Sequence, residues 1–213
     1  VLALSRNTKP LESISHKNIT TISVDLSNEN DILKAVNFIK EEWKQVDVLI
    51  FTDGSSTQYF NNEAILEDKF HEAKEANDMV GSTVLPRADF PDMRLDTIAH
   101  VDKNIALGKI ISKGAYDTVF VQDRTDINKD HNELYESTMV ACRPYPGQTV
   151  KHLLSYYVNS STEWGNLLKK KPFGPNVFVD ISETIDDKVG AMEKYTTEIR
   201  DYPHPRSTEA IRN

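Results

Sequence analysis

Cysteine is nearly missing from this chain: its 213 residues contain one, Cys142, so no internal disulfide can form. That usage fits a reducing compartment, and a cytoplasmic location is the expectation. No apolar run approaches the roughly 20 residues of a bilayer-spanning helix, and no signal-peptide-like apolar region is visible at the start, so no membrane partner is expected. Excess positive charge is missing as well. With 25 basic and 33 acidic residues the net charge is −8, which argues against phosphate-backbone binding and for solubility, and no nucleic-acid partner is expected. The sole dense basic run, Lys169-Lys170-Lys171 beside Pro172, is short for a polybasic membrane site and reads as a solvated loop. Internal repeats and low-complexity tracts are absent.

What is present alternates between strand-like and helix-like segments. Leu2 to Ser5 and Thr20 to Val24 read as strands. Asn28 can cap a helix in which Ile32, Leu33, Val36, Ile39 and Trp43 recur at helical spacing. The run Val46 to Phe51 reads as a buried parallel strand. A helix is expected from Glu63 to Val80, with Leu66, Phe70, Ala73 and Val80 inward and Gly81 as its stop. Another runs from about Val101 to Ser112, then a strand over Thr118 to Val121 and a helix from about His131 to Cys142. On that helix Cys142 shares a side with Leu134, Thr138 and Met139 and reads as a small buried hydrophobe. Strands are expected over Leu153 to Val158 and Val177 to Ile181, and the final helix starts near Ser182 or Thr184. The alternation predicts an α/β protein: a single domain over residues 1–213, with a mainly parallel, Rossmann-like sheet in a three-layer α/β/α sandwich.

The segment Asp126-Ile127-Asn128-Lys129-Asp130-His131 is the best address for chemistry. It follows a strand and opens a helix, and ligands collect at the carboxyl ends of strands in α/β sheets. Two readings stand. In one, His131 binds a metal through neutral imidazole while Asp130 or Asp126 orients the ring. In the other, Asp130 caps the helix and His131 is a solvated first-turn residue. Arg94 offers a planar fork of donors to a sugar or phosphate, or pairs with Asp92 or Asp96. His16, His71, His100 and His152 show no ligand spacing.

Further segments accompany that loop: Phe90-Pro91-Asp92-Met93-Arg94-Leu95-Asp96-Thr97, Asn176 to Ile185 leading to Tyr202-Pro203-His204-Pro205-Arg206-Ser207, Thr52-Asp53-Gly54-Ser55-Ser56, Arg143-Pro144-Tyr145-Pro146-Gly147 and Ser160-Ser161-Thr162-Glu163-Trp164. Together they closely resemble the PIG-L/LmbE family of zinc-dependent N-deacetylases, over roughly residues 48–213. The resemblance implies a hydrolase that removes an acetyl group from an amino sugar or related glycan. It makes His131 a zinc ligand, places Asn128 where a polar group assists the tetrahedral intermediate, has Asp130 orient His131, and brings Arg94, His204 and Arg206 to the substrate. The family's remaining zinc ligands and general base lie in a His-Pro-Asp-Asp motif, which occurs nowhere in this chain.

Residues 1–50 resemble something else. Val1 to Asn7, Ile22 to Ser27 and the helix leading to Val46-Asp47-Val48-Leu49-Ile50 look like a short-chain dehydrogenase/reductase fragment, with Arg6 and Asp25 placed as that family's NADP phosphate and adenine contacts. Its Gly-rich phosphate loop and Tyr-x-x-x-Lys pair are missing. The expectation is a deacetylase-type segment, 51–213, joined to a dehydrogenase-like one, either a recombined or engineered chain or a divergent relative. Activity is then impaired or lost, and the competing reading is a catalytically silent α/β scaffold.

Overall fold

A computed structural model describes residues 2–5, 20–23, 45–54, 63–165 and 172–213. The chain divides into two compact units, Val1–Val46 and Asp47–Asn213. In the first, strand β1 (Leu2–Ser5) pairs in parallel with β2 (Thr20–Ser23), with Leu2 opposite Thr20 and Ser5 opposite Ser23. Arg6, Asp25, the expected helix over 28–43 and Lys169 to Lys171 lie outside the described residues.

The second unit begins with β3 (Asp47–Val48), helix α1 (Glu63–Met79) and β4 (Thr83–Val84), the two strands parallel and joined through the helix. The pairing runs on past the strands: Ala88 N–H donates to Ile50 O at 3.0 Å, and Asp53 N–H donates to Phe90 O at 2.8 Å. Phe51 and Phe90 stack there with centroids 4.6 Å apart. A 3-10 turn, Leu95–Thr97, leads to α2 (His100–Gly114). Strand β5 (Thr118–Gln122), helix α3 (Lys129–Ala141) and β6 (His152–Tyr156) repeat the same plan, with Thr118 opposite His152 and Gln122 opposite Tyr156. Short helices α4 (Thr162–Gly165), α5 (Ile185–Glu193) and α6 (Thr208–Arg212) follow. Parallel strands need a crossover, and a helix supplies it in both cases. The fold is therefore mixed α/β with short parallel pairs. No described helix is long and apolar enough to cross a membrane.

The core gathers Phe51, Leu95, Leu107, Ile111 and Cys142, with Leu134, Val119 and Leu153 packed against it. Burial pushes the Cys142 thiol up to about 11, so it packs as an inert hydrophobe. Gly81, at φ +73°, stops α1 in the left-handed conformation that glycine adopts without strain.

Three expectations need correction. Helix α1 does not turn Phe70 and Val80 inward, since both are exposed; Glu72, Ala73, Ala76 and Asn77 are buried instead. Polar residues can occupy that face because their partners are supplied. Glu72 Oε2 accepts from Thr197 Oγ1 at 2.6 Å and Oε1 from Thr197 N at 2.9 Å, while Asn77 Nδ2 donates to Ala73 O at 2.7 Å. On α3, Met139 is 43 % exposed, whereas Thr138 is buried with its hydroxyl donating to Leu134 O at 2.7 Å. The stretch Val177 to Ile181 forms no strand, and Phe178 is 79 % exposed. Its β-branched pattern fits a strand, but a strand needs a neighbour's ladder, and none of the described strands supplies one.

Candidate functional site

Every second or third residue after β5 bends the chain with its own side chain. Asp123 Oδ1 accepts from Thr125 N–H at 2.8 Å, Asp126 Oδ1 from Asn128 N–H at 2.8 Å, and Asn128 Oδ1 from Asp130 N–H at 2.8 Å. Short Asp and Asn side chains make such turns because their oxygens reach the backbone two residues on. The last of the three caps α3, so the N-cap is Asn128 rather than Asp130. Asn132 Nδ2 closes the loop from within the helix, donating to Asp126 O at 2.9 Å and Asn128 O at 2.7 Å.

Asp126 is fully buried at the centre of this loop. A second segment reaches it: Thr162 Oγ1 donates to Oδ2 at 2.8 Å, and Ser161 Oγ donates to Oδ1. Glu163 holds that segment in shape by accepting from Ser160 N–H at 2.7 Å and Ser161 N–H at 3.0 Å. Burial alone would raise the Asp126 carboxyl, yet the donors from Ser161, Asn128 and Thr162, with the adjacent His131 ring, outweigh it and hold the group below its ordinary value. Asp126 Oδ2 also lies 3.1 Å from His131 Nδ1, in ion-pair range though off the line of a straight hydrogen bond. Nδ1 is buried, while the His131 side chain keeps 21 % exposure elsewhere on the ring.

Asp130, expected to orient His131, faces the other way. Its Oδ1 accepts from Leu95 N–H at 3.1 Å, and Oδ2 is buried with no hydrogen-bond partner. Burial, with Asp92 and Asp96 adding repulsion, raises this carboxyl despite backbone donors from Leu95 and Met93. Asp126 and Asp130 are thus pushed in opposite directions by different supplies of donors.

The remaining candidates divide. Asn128 spends its carbonyl on the cap, and its Nδ2 has only a weak contact to Met93 Sδ at 3.9 Å. Arg94 is exposed, in the turn before Leu95. That turn is tied to the end of β3, with Asp92 N–H donating to Asp53 Oδ1 at 3.1 Å and Thr52 Oγ1 to Asp92 Oδ1 at 3.0 Å. His204 Nδ1 accepts from Arg206 N–H at 3.0 Å. The Arg206 guanidinium pairs with Glu198 and donates from Nε to Ser160 Oγ at 3.1 Å, so Arg206 braces the segment that holds Asp126. A groove lined by Ile199, Arg200, Asp201, Tyr202, Ser207, Thr208 and Glu209 contains none of the expected site residues.

One residue escaped the sequence reading. A Cβ built on Gly165 would sit 1.7 Å from Thr125 O and 2.9 Å from Asp126 C, so the α4 backbone lies directly against the loop. Glycine at 165 is the condition for that approach. Gly165→Ala is expected to force the two segments apart at a cost of about 1–3 kcal/mol, read as a lower denaturant midpoint at constant m-value. An unchanged midpoint would show that the approach is not needed.

A catalytic zinc site normally uses three protein ligands and an open position. Among the described residues no group of three or more His, Cys, Asp or Glu side chains is arranged to hold a metal. Asp53 accepts from Asp92 N–H, and Asp123 from Thr125 and Ser155. The described residues do not fit a three-ligand zinc centre.

No protein-family model and no curated protein matches the chain. Solved structures do. A conserved protein from Thermus thermophilus is 19 % identical, with 83 % of this chain and 76 % of that one aligned at a TM-score of 0.59. The 4-carboxy-2-hydroxymuconate hydratase from Pseudomonas putida is 16 % identical, covering 93 % and 79 % at 0.53. The N,N'-diacetylchitobiose deacetylase from Pyrococcus horikoshii, solved with an inhibitor, is 13 % identical, covering 94 % and 70 % at 0.52. At such identities the likeness is one of fold alone.

Proposed function

We propose that this chain carries a PIG-L/LmbE-like deacetylase scaffold, a Rossmann-like three-layer α/β/α sandwich, whose site at the end of β5 takes an N-acetylated amino sugar or related glycan. Hydrolysis is impaired or lost, because the His-Pro-Asp-Asp motif has no counterpart in the sequence. The observation that carries this reading is the fully buried Asp126 facing His131 Nδ1 beside β5. A carboxylate behind an imidazole directs the other ring nitrogen toward a ligand. The fold shared with a chitobiose deacetylase supports the same reading. Asn128 Nδ2 is placed to donate to an acyl oxygen, with Arg94 as a substrate contact. His204 and Arg206 act as supports, since Arg206 is already engaged by Glu198 and Ser160. The missing motif is explained by an exchanged, dehydrogenase-like opening segment over residues 1–50.

Zinc analysis of the purified chain, with hydrolysis of an N-acetylglucosamine derivative, tests the proposal. We expect less than one zinc per chain, little or no turnover, and N-acetylglucosamine binding in ligand-detected NMR that weakens in His131→Ala. Stoichiometric zinc with turnover abolished by His131→Ala would overturn the impairment. Absence of both turnover and sugar binding would favour a silent scaffold.

A further inference from the structure

We infer that Thr162 is a positioning residue that sets which nitrogen of His131 is offered to a ligand; this deepens the proposed reading of the site and rests on it. The Thr162 hydroxyl is fully buried, so water does not compete for it. It accepts from Val158 N–H at 2.8 Å, which occupies its acceptor side and leaves its proton for Asp126 Oδ2, also at 2.8 Å. That oxygen is the one 3.1 Å from His131 Nδ1. Ser161 anchors the other carboxylate oxygen, and Gly165 lets the whole turn lie against the loop. The carboxylate therefore cannot rotate away, and its charge, 3.1 Å from Nδ1 though outside hydrogen-bond geometry, favours the tautomer with its proton on Nδ1. Nε2 then presents a lone pair, which suits a hydrogen-bond donor on a ligand or a proton in transfer. The selection begins in a turn about thirty residues beyond the histidine.

The test uses the full chain without metal or sugar, at about pH 8.5. Long-range proton–nitrogen NMR then reads the His131 tautomer. In the wild type we expect the Nδ1–H form. Thr162→Val should shift the ring to a mixture or to Nε2–H, and Thr162→Ser, which keeps the hydroxyl, should restore it. A wild-type ring already in the Nε2–H form would overturn the inference, as would Thr162→Val that retains Nδ1–H. If Thr162→Val does not fold, Thr162→Ala removes the same hydroxyl, and an unchanged Nδ1–H signal there would count equally against it. Because the measurement needs neither zinc nor turnover, a failed deacetylase reading leaves this result standing, and a failed tautomer shift leaves that reading in place.

Discussion

Glu133→Ala is expected to lower the unfolding free energy by about 3 kcal/mol, because it strands a buried ammonium. Lys103 on α2 is 1 % exposed, and its Nζ donates to Glu133 Oε2 on α3 at 2.6 Å. It also donates to Leu95 O at 2.7 Å and Ile98 O at 3.2 Å, so its hydrogen bonds are filled, and among the described residues Glu133 alone neutralises the charge. Breaking a buried pair from one side costs about 3–5 kcal/mol, and the 30 % exposure of Glu133 places this case at the low end. Chemical denaturation of the single variants and of Lys103→Met/Glu133→Leu separates charge from packing. The double variant should recover most of the loss, since an apolar pair of similar volume needs no desolvation. A Glu133→Ala variant within about 0.5 kcal/mol of wild type would show that the ammonium is reached by water.

The second large effect is expected at Asp126. Asp126→Ala leaves the Thr162 and Ser161 hydroxyls and the Asn128 N–H without their acceptor. Each buried donor left unpaired costs about 1–3 kcal/mol, and partial relaxation brings the sum to about 3–5 kcal/mol. The variant should also release His131, seen as increased ring exposure to solvent exchange. Acid sensitivity follows from the same contacts. The folded carboxyl sits below the ordinary aspartate value of 3.8, so its contribution is complete above that value and is lost as pH falls through the folded one. Glu72 and Asp123 are shifted in the same direction and add to it. Wild-type stability should therefore drop as pH falls below about 4, and less steeply in Asp126→Ala. Parallel pH profiles for the two proteins would contradict this assignment.

The candidate loop was legible in part. Asp, Asp and Asn, spaced three and then two apart, follow a β-branched run in the loop that the sequence marks as polar, and the structure turns the chain on their side chains at 123, 126 and 128. What the spacing could not show is which carboxylate faces His131. Asp130 is its neighbour in sequence, but the first turn of a helix sends adjacent side chains in different directions, and Asp130 points to Leu95. Asp126 reaches the ring because the loop folds back.

Burial on α1 was misread for a similar reason. Periodicity counts apolar residues, and on that helix the buried face includes Glu72 and Asn77. Their acceptability depends on Thr196 and Thr197, more than a hundred residues further along, and on Ala73 and Ser82. No local pattern carries that information.

The sequence by itself determined the elements whose causes are local: the α/β alternation, the glycine stop after α1, the polar loop between β5 and α3 and the lone cysteine that packs rather than pairs. Local preferences of this kind act within a few residues, so they can be read in order along the chain. Tertiary structure alone decided that Ser161 and Thr162 hold Asp126, that Gly165 must be small, that Lys103 is neutralised by Glu133, and that Val177 to Ile181 stays without a ladder. Each of these depends on burial beside a distant partner, and the same polar group that is worth little in water becomes decisive once water is excluded.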